Sequence, residues 1–228
     1  MRTVISRGSV RAGLLSAAVA GSLVLGATGC GGDGDEKKTP KDYKAVAGTQ
    51  LCGGNAVSAD ASKALKVITG SSRFEASGKE YSVAKAAANL VEASAGSTVT
   101  KDVCRVFTPI GTPEVQLRIT WDLKDGAPTG TSAPKFTVLK MGERAVTAAD
   151  MAYVFFACRS DKLAGSSEAA HIVVGVERWD MPKPPEGDVE ALKGAYATVA
   201  HSVSLAMAKE LRCEKNGGLP AKPVLEPL

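Results

Sequence analysis

The chain has 228 residues, a formal net charge of +4 and an aromatic content of 5%. Three of the positive charges are Arg2, Arg7 and Arg11, so the rest of the chain is close to neutral. This balance and the scarcity of aromatic side chains argue against a nucleic-acid-binding domain, which needs a basic surface or a stacking platform.

The N-terminus has the three parts of a secretory signal. A basic segment is followed by an apolar stretch over residues 12–27, and small residues then precede Cys30. The apolar stretch is shorter than the ~20 residues of a membrane-spanning helix. We therefore predict a signal peptide over residues 1–29. We also predict lipidation of the Cys30 thiol, which would hold the protein on the outer face of the cell membrane.

Residues 30–50 are predicted to combine the lipidated cysteine with a flexible tether. Acidic and basic side chains nearly cancel, and no apolar periodicity is present before Val46. The lysines could contact anionic headgroups or wall polymers, but the cancelled charge favours a solvated spacer. A flexible chain of this length spans roughly 25 Å.

Apolar residues at helical spacing predict two helices after the tether. The first begins after Ser58, a good N-terminal cap, and stops at Gly70. The second covers residues 82–95 and stops at Gly96. Both apolar stripes are narrow and rich in alanine, which favours close packing on a sheet.

The middle of the chain predicts an antiparallel sheet. Residues 114–121 alternate between apolar and polar side chains, as a half-buried strand does. Residues 151–158 are apolar throughout, and we predict that they form the central strand, covered on both faces. A loop rich in Pro, Gly, Thr and Ser covers residues 127–134. The other predicted strands are 103–107, 136–139 and 170–179.

A long helix is predicted over residues 188–212, after a run of prolines ends the last strand. The proline-rich segment 217–228 is predicted to be a disordered C-terminal tail. Helices and antiparallel strands that are segregated in this way indicate an α+β domain over residues 51–216, with the helices packed on one face of the sheet.

The four cysteines that follow Cys30 predict two disulfides, as expected of an exported domain. They allow three connectivities. We favour Cys52–Cys104 with Cys158–Cys213, because these pairs close loops of similar size. Their wide spacing lacks the signatures of a zinc site or a redox motif.

Recognisable catalytic motifs are missing from the sequence, and no metal or cofactor is expected. The two histidines are His171 and His201. We predict that His201 faces solvent from the long helix, because it lies about 200° around the helix from Val199. Neither histidine has a nucleophile at motif spacing.

Two groups of residues are candidates for a binding rim. Glu177, Arg178 and Trp179 end a strand beside the proline-rich segment; the tryptophan could border a ligand or close the edge of the core. The second group could line a polar cleft or form a solvated ion-paired surface. It consists of Lys140, Glu143, Arg144 and Asp150.

The sequence Ala27-Thr28-Gly29-Cys30 resembles a bacterial lipobox, with Ala27 where that pattern prefers leucine. Together with the tether, the segment Leu51-Cys52-Gly53-Gly54, the spaced cysteine pairs and the terminal helix, the layout resembles small secreted actinobacterial lipoproteins of unknown function. The resemblance supplies no catalytic residues.

We therefore expect a membrane-anchored, non-enzymatic domain that binds a ligand or acts as a sensor. The alternatives are a cell-envelope hydrolase and a structural partner of an envelope complex. The expected partners are the membrane, through the lipid anchor, and a small molecule or an envelope protein. A deep apolar pocket favours ligand binding, a serine or aspartate near a histidine favours an enzyme, and a flat apolar patch favours a protein partner.

Overall fold

A polar side chain caps the start of each of three helices in the computed structural model, which describes residues 44–165 and 168–228. Helix α1 (Ala59–Thr69) follows Ser58, whose side chain accepts a hydrogen bond from the Ala61 amide at 3.1 Å. Ser82 caps α2 (Val83–Ser94) and Asp188 caps α3 (Val189–Glu210) in the same way. These caps confirm the predicted helix starts.

In the described residues, eight strands form two sheets. A small antiparallel pair joins β1 (Ala45–Ala47) to β2 (Arg73–Glu75). The main sheet has six antiparallel strands in the order β3-β4-β8-β7-β6-β5. Their bounds are β3 Asp102–Phe107, β4 Gln116–Lys124, β5 Thr137–Leu139, β6 Arg144–Thr147, β7 Met151–Cys158 and β8 Ala170–Arg178.

The three helices pack on one face of the main sheet, and this α+β architecture confirms the predicted fold class. The core is built from the residues of β4, β7 and β8 that face the helices, and from α1 and α3. α3 also contacts the start of α1, where the Ser202 hydroxyl donates to the carbonyl oxygen of Ala56 at 2.8 Å and accepts from the Ser58 amide. We call the face that carries the helices the inner face and the opposite face the outer face.

Both favoured disulfides are present. Cys52–Cys104 joins a short 3-10 helix (Gly48–Gly53) to β3, with the Cα atoms 5.4 Å apart. Cys158–Cys213 joins the end of β7 to the third residue after α3, with the Cα atoms 4.8 Å apart. The second bridge therefore holds the C-terminus of the long helix over the end of a strand in the interior of the sheet.

The structure corrects the prediction for the C-terminal tail. A second 3-10 helix (Glu214–Gly218) runs into residues 217–228 and is followed by the buried Leu219. Pro227 then pairs with Leu139 of β5, and the Leu228 amide donates to the carbonyl of Val138 at 3.0 Å. The tail is fixed because it covers α3 and adds backbone hydrogen bonds to an edge strand, which composition alone does not reveal.

His201 was also predicted wrongly, because it is buried rather than exposed to solvent. α3 is covered by the sheet, by α1 and by the C-terminal segment, so its buried surface extends beyond one stripe. The Nε2 atom of His201 donates to the carbonyl oxygen of Pro220 at 2.9 Å. Burial lowers the pKa of His201, and the hydrogen bond to Pro220 opposes this effect.

The folded part begins before the predicted start at residue 51, since β1 starts at Ala45. Cys30 and the predicted signal peptide lie outside the described residues, so their assignment remains a prediction. Among the described residues, none of the helices combines the length and the apolar character needed to cross a membrane.

Candidate functional site

The connection between β4 and β5 has to cross the main sheet, because these strands lie at opposite sides of it. β4 pairs with β3 and β8, whereas β5 is the edge strand beyond β6. Residues 125–136, which we call the crossover segment, pass over the outer face. A cavity of about 460 Å³ lies between the crossover segment and the strands. That volume is in the range of ~300–1,000 Å³ typical of small-molecule sites.

The floor of this cavity is apolar. It is formed by outward-facing side chains of three neighbouring strands, chiefly Val146, Tyr153, Phe155 and Val173. The ring of Phe136, at the end of the crossover segment, meets the Tyr153 ring edge to face with centroids 6.1 Å apart. Without a cover, these side chains would expose an apolar surface to water.

Gly175 lets the Tyr153 ring lie close to the backbone of β8. The two residues are paired across β7 and β8. A Cβ atom at Gly175 would lie 2.9 Å from both Cδ1 and Cε1 of the tyrosine ring and 3.3 Å from Oγ1 of Thr120. Since these distances are shorter than normal carbon contacts of ~3.5–4.0 Å, any side chain here would push the ring into the cavity.

Arg144 fastens the crossover segment to the sheet. Its Nη1 atom donates to the carbonyl oxygen of Gly130 at 2.8 Å, and its Nη2 atom donates to Oγ of Ser132 at 2.7 Å. Arg144 itself belongs to β6 and lines the cavity. The guanidinium group therefore links the roof to the wall and fixes the height of the cavity.

The polar end of the cavity carries a paired carboxylate. Asp122 accepts hydrogen bonds from Nζ of Lys124 at 2.6 Å and from Nζ of Lys101. Partial burial alone would raise the pKa of Asp122, but the hydrogen bonds and charges of the two lysines outweigh it, so its pKa is lowered. The carboxylate thus stays ionised and compensated, and it is a poor candidate for a general acid.

Tyr153 is fixed by a second polar contact at the side of the cavity. Its hydroxyl donates a short hydrogen bond to Oε1 of Glu177. Burial raises the pKa of Tyr153, and the hydrogen bond and the negative charge of Glu177 raise it further. The phenol is therefore a protonated donor with an acceptor already in place, which positions the ring rather than supplying a base.

The three residues of the predicted rim are brought to different places. Glu177 lies on the outer face and holds Tyr153. Trp179 lies beneath the guanidinium groups of Arg105 and Arg118, at 4.9 and 5.9 Å from the ring centroid. Arg178 points to the inner face, in line with Leu117 of β4. The rim is therefore not one site, and only Glu177 contacts a residue of the cavity.

Both arginines above Trp179 are held by one carboxylate. Asp102 accepts from Nη2 of Arg105 at 3.0 Å and from Nε of Arg118 at 2.7 Å. The Arg105 guanidinium also lies 5.7 Å from the centroid of Tyr81. This arrangement fastens the outer face of β3 to β4 and the end of β8, and it explains the position of the tryptophan by cation–π contacts.

The second predicted group is also divided. Arg144 lines the cavity, whereas Glu143 accepts a hydrogen bond from Nδ1 of His171 at 2.9 Å. Lys140 and Asp150 form no ion pair with either of them among the described residues.

Catalytic and metal-binding arrangements are not found in the described part of the chain. His171 pairs with Glu143 and His201 with a backbone carbonyl, so neither histidine is hydrogen-bonded to a serine or threonine there. Residues 44–165 and 168–228 also hold no group of three or more side chains suited to a metal ion. The expected test for a hydrolase, an activated nucleophile, is therefore not met by these residues.

Comparison with protein-family models, with curated proteins and with solved structures finds no match. The function has to be argued from the geometry of the cavity.

Sequence reasoning missed the cavity because its floor residues were assigned to the core. The residues of β7 alternate between buried and half-buried, so the strand is not covered equally on its two faces as predicted. The side chains of Tyr153 and Phe155 face the cavity under the crossover segment instead of the core. The available signal was an aromatic pair at alternate positions of an interior strand, followed by Gly175 in the strand that pairs with it.

Proposed function

We propose that this protein is a lipid-anchored extracytoplasmic domain that binds a small, mainly apolar ligand without chemical conversion. The proposal rests on one observation: an apolar, aromatic floor lies beneath a fastened crossover segment and encloses about 460 Å³. Pockets of this size and character are the usual places for small ligands. The lipobox-like segment that ends at Cys30 supports placement at the membrane surface.

The polar groups of the cavity favour binding over catalysis. Asp122, Tyr153 and Arg144 each have a partner within the protein. Groups that are already satisfied keep the site in one shape and can orient a polar end of the ligand through their remaining donors and acceptors. We therefore propose a ligand with an apolar body and a neutral polar group, which needs no buried counter-charge.

The test uses N-phenyl-1-naphthylamine, a neutral apolar probe whose fluorescence rises in a dry site. We expect saturable binding to the parent protein and about tenfold or weaker binding to Val173→Phe, since the larger side chain fills the floor. Val189→Phe is the matched control, because Val189 is 50% exposed at the start of α3 and lies outside the cavity.

Ala133→Trp is a second variant that keeps the test decisive if Val173→Phe does not fold. Ala133 is an exposed residue of the crossover segment at the mouth of the cavity. A tryptophan there should obstruct the opening while the melting temperature stays near that of the parent. The proposal would be refuted if the parent failed to bind the probe. It would also be refuted if Val173→Phe and Ala133→Trp both bound the probe as tightly as the parent does.

A further inference from the structure

Arg178 occupies a position on β8 where the alternation of the strand calls for an apolar side chain. The preceding inward residues are Ile172, Val174 and Val176, all fully buried. Arg178 continues that row and pairs with Leu117, an inward residue of β4. Since β8 lies between β4 and β7, the guanidinium group starts from the interior of the sheet rather than from an edge.

Arg178 opens into a pocket of about 510 Å³ at the end of the inner face. The walls are the end of α1 at residues 67–70, the connection between β3 and β4 at residues 113–115, and residues 181–186 before α3. Much of this lining is apolar, with Ile68 and Val115 on opposite sides. Arg178 therefore lies in a recess that combines apolar walls with three other charged side chains, those of Glu114, Lys183 and Glu186.

No partner for this cation is found in the part of the chain that the structure describes. The Arg178 side chain forms no ion pair or hydrogen bond there, and its Nε atom is buried without an acceptor. Arg178 as a whole is half-buried, so the rest of its guanidinium group can still reach water or a ligand, whereas a buried N–H without an acceptor is unfavourable. The cation–π contacts that hold Arg105 and Arg118 do not extend to Arg178.

A second unsatisfied donor is buried on α3. The hydroxyl of Tyr196 on α3 is buried without a hydrogen-bond partner, and the ring is fully buried. Burial raises the pKa of Tyr196, against the effect of the nearby Arg178 charge, and Asp150 raises it further. The phenol therefore remains protonated.

None of the nearby carboxylates forms an ion pair with the Arg178 guanidinium group. Glu114 lines the pocket but is hydrogen-bonded to Gln116. Glu186 also lines it but is exposed, and Asp150 does not come within ion-pair distance of Arg178. An anion from solution would therefore not have to displace an internal carboxylate from Arg178.

We propose that the Arg178 pocket is a second binding site, which takes a small molecule with one carboxylate and a short apolar chain. The carboxylate would accept hydrogen bonds from the guanidinium group, whose planar donors fit two carboxylate oxygens. The apolar chain would lie against Ile68 and Val115. This site is on the inner face and is separate from the cavity under the crossover segment, so neither proposal depends on the other.

The experiment titrates the ¹⁵N-labelled protein with hexanoate, with its neutral isostere hexanamide and with inorganic phosphate. We expect hexanoate to shift the amide signals of residues 67–70 and 178–188 and to bind about tenfold or more tightly than hexanamide. Phosphate has no apolar chain and should bind more weakly than hexanoate. Tighter binding of phosphate would show a general anion site and overturn the carboxylate assignment.

Arg178→Gln should remove at least tenfold of the hexanoate affinity and leave hexanamide binding unchanged. Arg212→Gln is the matched control, since it removes the same charge from an exposed position after α3. Because the Arg178 side chain forms no ion pair or hydrogen bond within the described residues, Arg178→Gln should melt no lower than the parent.

Two results would overturn the inference. One is equal affinity for hexanoate and hexanamide, or shifts centred on Tyr153 and Phe136 instead of on the Arg178 pocket. The other is an internal ion pair in solution, shown when Arg178→Gln and Glu186→Gln each destabilise the fold and the double variant destabilises it no further. Arg178→Lys should bind hexanoate with an affinity between those of the parent and Arg178→Gln, because lysine keeps the charge but cannot donate two parallel hydrogen bonds to a carboxylate.

Discussion

Gly175→Ala is the most direct test of how the cavity is built. The new Cβ atom would lie 2.9 Å from two carbons of the Tyr153 ring, at least half an ångström inside normal contact of ~3.5 Å. The ring must rise from the sheet, which strains its hydrogen bond to Glu177 and places it in the space of the ligand. Overpacking of this kind costs about 1–3 kcal/mol in the free energy of unfolding.

A double-mutant cycle separates this contact from any other effect of the substitution. In the background of Tyr153→Ala no ring opposes the new methyl group, so Gly175→Ala should be neutral or stabilising by up to ~1 kcal/mol. The control is Gly194→Ala in α3, where a Cβ would lie 3.7 Å from Leu225, an ordinary contact. It should stabilise the helix by ~0.5–1 kcal/mol.

Chemical denaturation gives the free energies of unfolding of the four proteins of the cycle and of the Gly194→Ala control, and the neutral naphthylamine probe reports on the cavity. Gly175→Ala should weaken probe binding, while Gly194→Ala should not affect it. An equal loss of stability from Gly175→Ala with and without the tyrosine ring would refute the reasoning, because the ring would then not be the group that requires glycine.

Three further predictions concern other parts of the chain. The double variant Cys158→Ser with Cys213→Ser, which opens a loop with a sequence separation of 55 residues, should lose about 2–4 kcal/mol and melt at a lower temperature under oxidising conditions; an unchanged melting temperature would mean that packing alone holds the end of α3. Because the pKa of His201 is lowered in the folded state, the unfolded chain binds the extra proton first, so stability should fall as the pH drops through about 6.5 and level off below the folded pKa. His201→Gln should flatten that part of the pH profile, as measured by denaturation at a series of pH values; a profile that His201→Gln leaves unchanged would assign the acid sensitivity to other groups. Cys30→Ala should release the protein from the membrane fraction of cells that export it, and retention of the lipid by this variant would contradict lipidation at Cys30.

Local features made much of the fold predictable. Ser58, Ser82 and Asp188 mark helix starts because a polar side chain there satisfies an amide that the helix cannot. The disulfide pairing followed from an even number of cysteines at balanced spacing. Helix caps involve only a few neighbouring residues, and cysteines can be counted in the sequence. Both can therefore be recognised without knowledge of the tertiary structure.

The wrong predictions concern residues whose burial depends on segments that are distant in the sequence. His201 is buried because Pro220 and the C-terminal segment close over α3, and the helical period measured from Val199 cannot contain that information. β6 was overlooked because its four residues are short of a clear alternation. The tail was assigned to disorder on its prolines, although Pro227 pairs at the edge of the sheet.

The topology of the sheet accounts for both proposed sites. β4 is joined to β8 on one side, so the chain has to cross the sheet to begin β5, and that crossing roofs the outer face over Tyr153 and Phe155. On the inner face, the helices leave the end of β8 open where the chain turns through residues 181–186 toward α3, and Arg178 lies in that opening. In both places the sequence departs from simple alternation, with aromatic rings facing outward in one and a cation facing inward in the other. Such departures cost stability unless another group covers them, and the two proposed ligands would supply that cover.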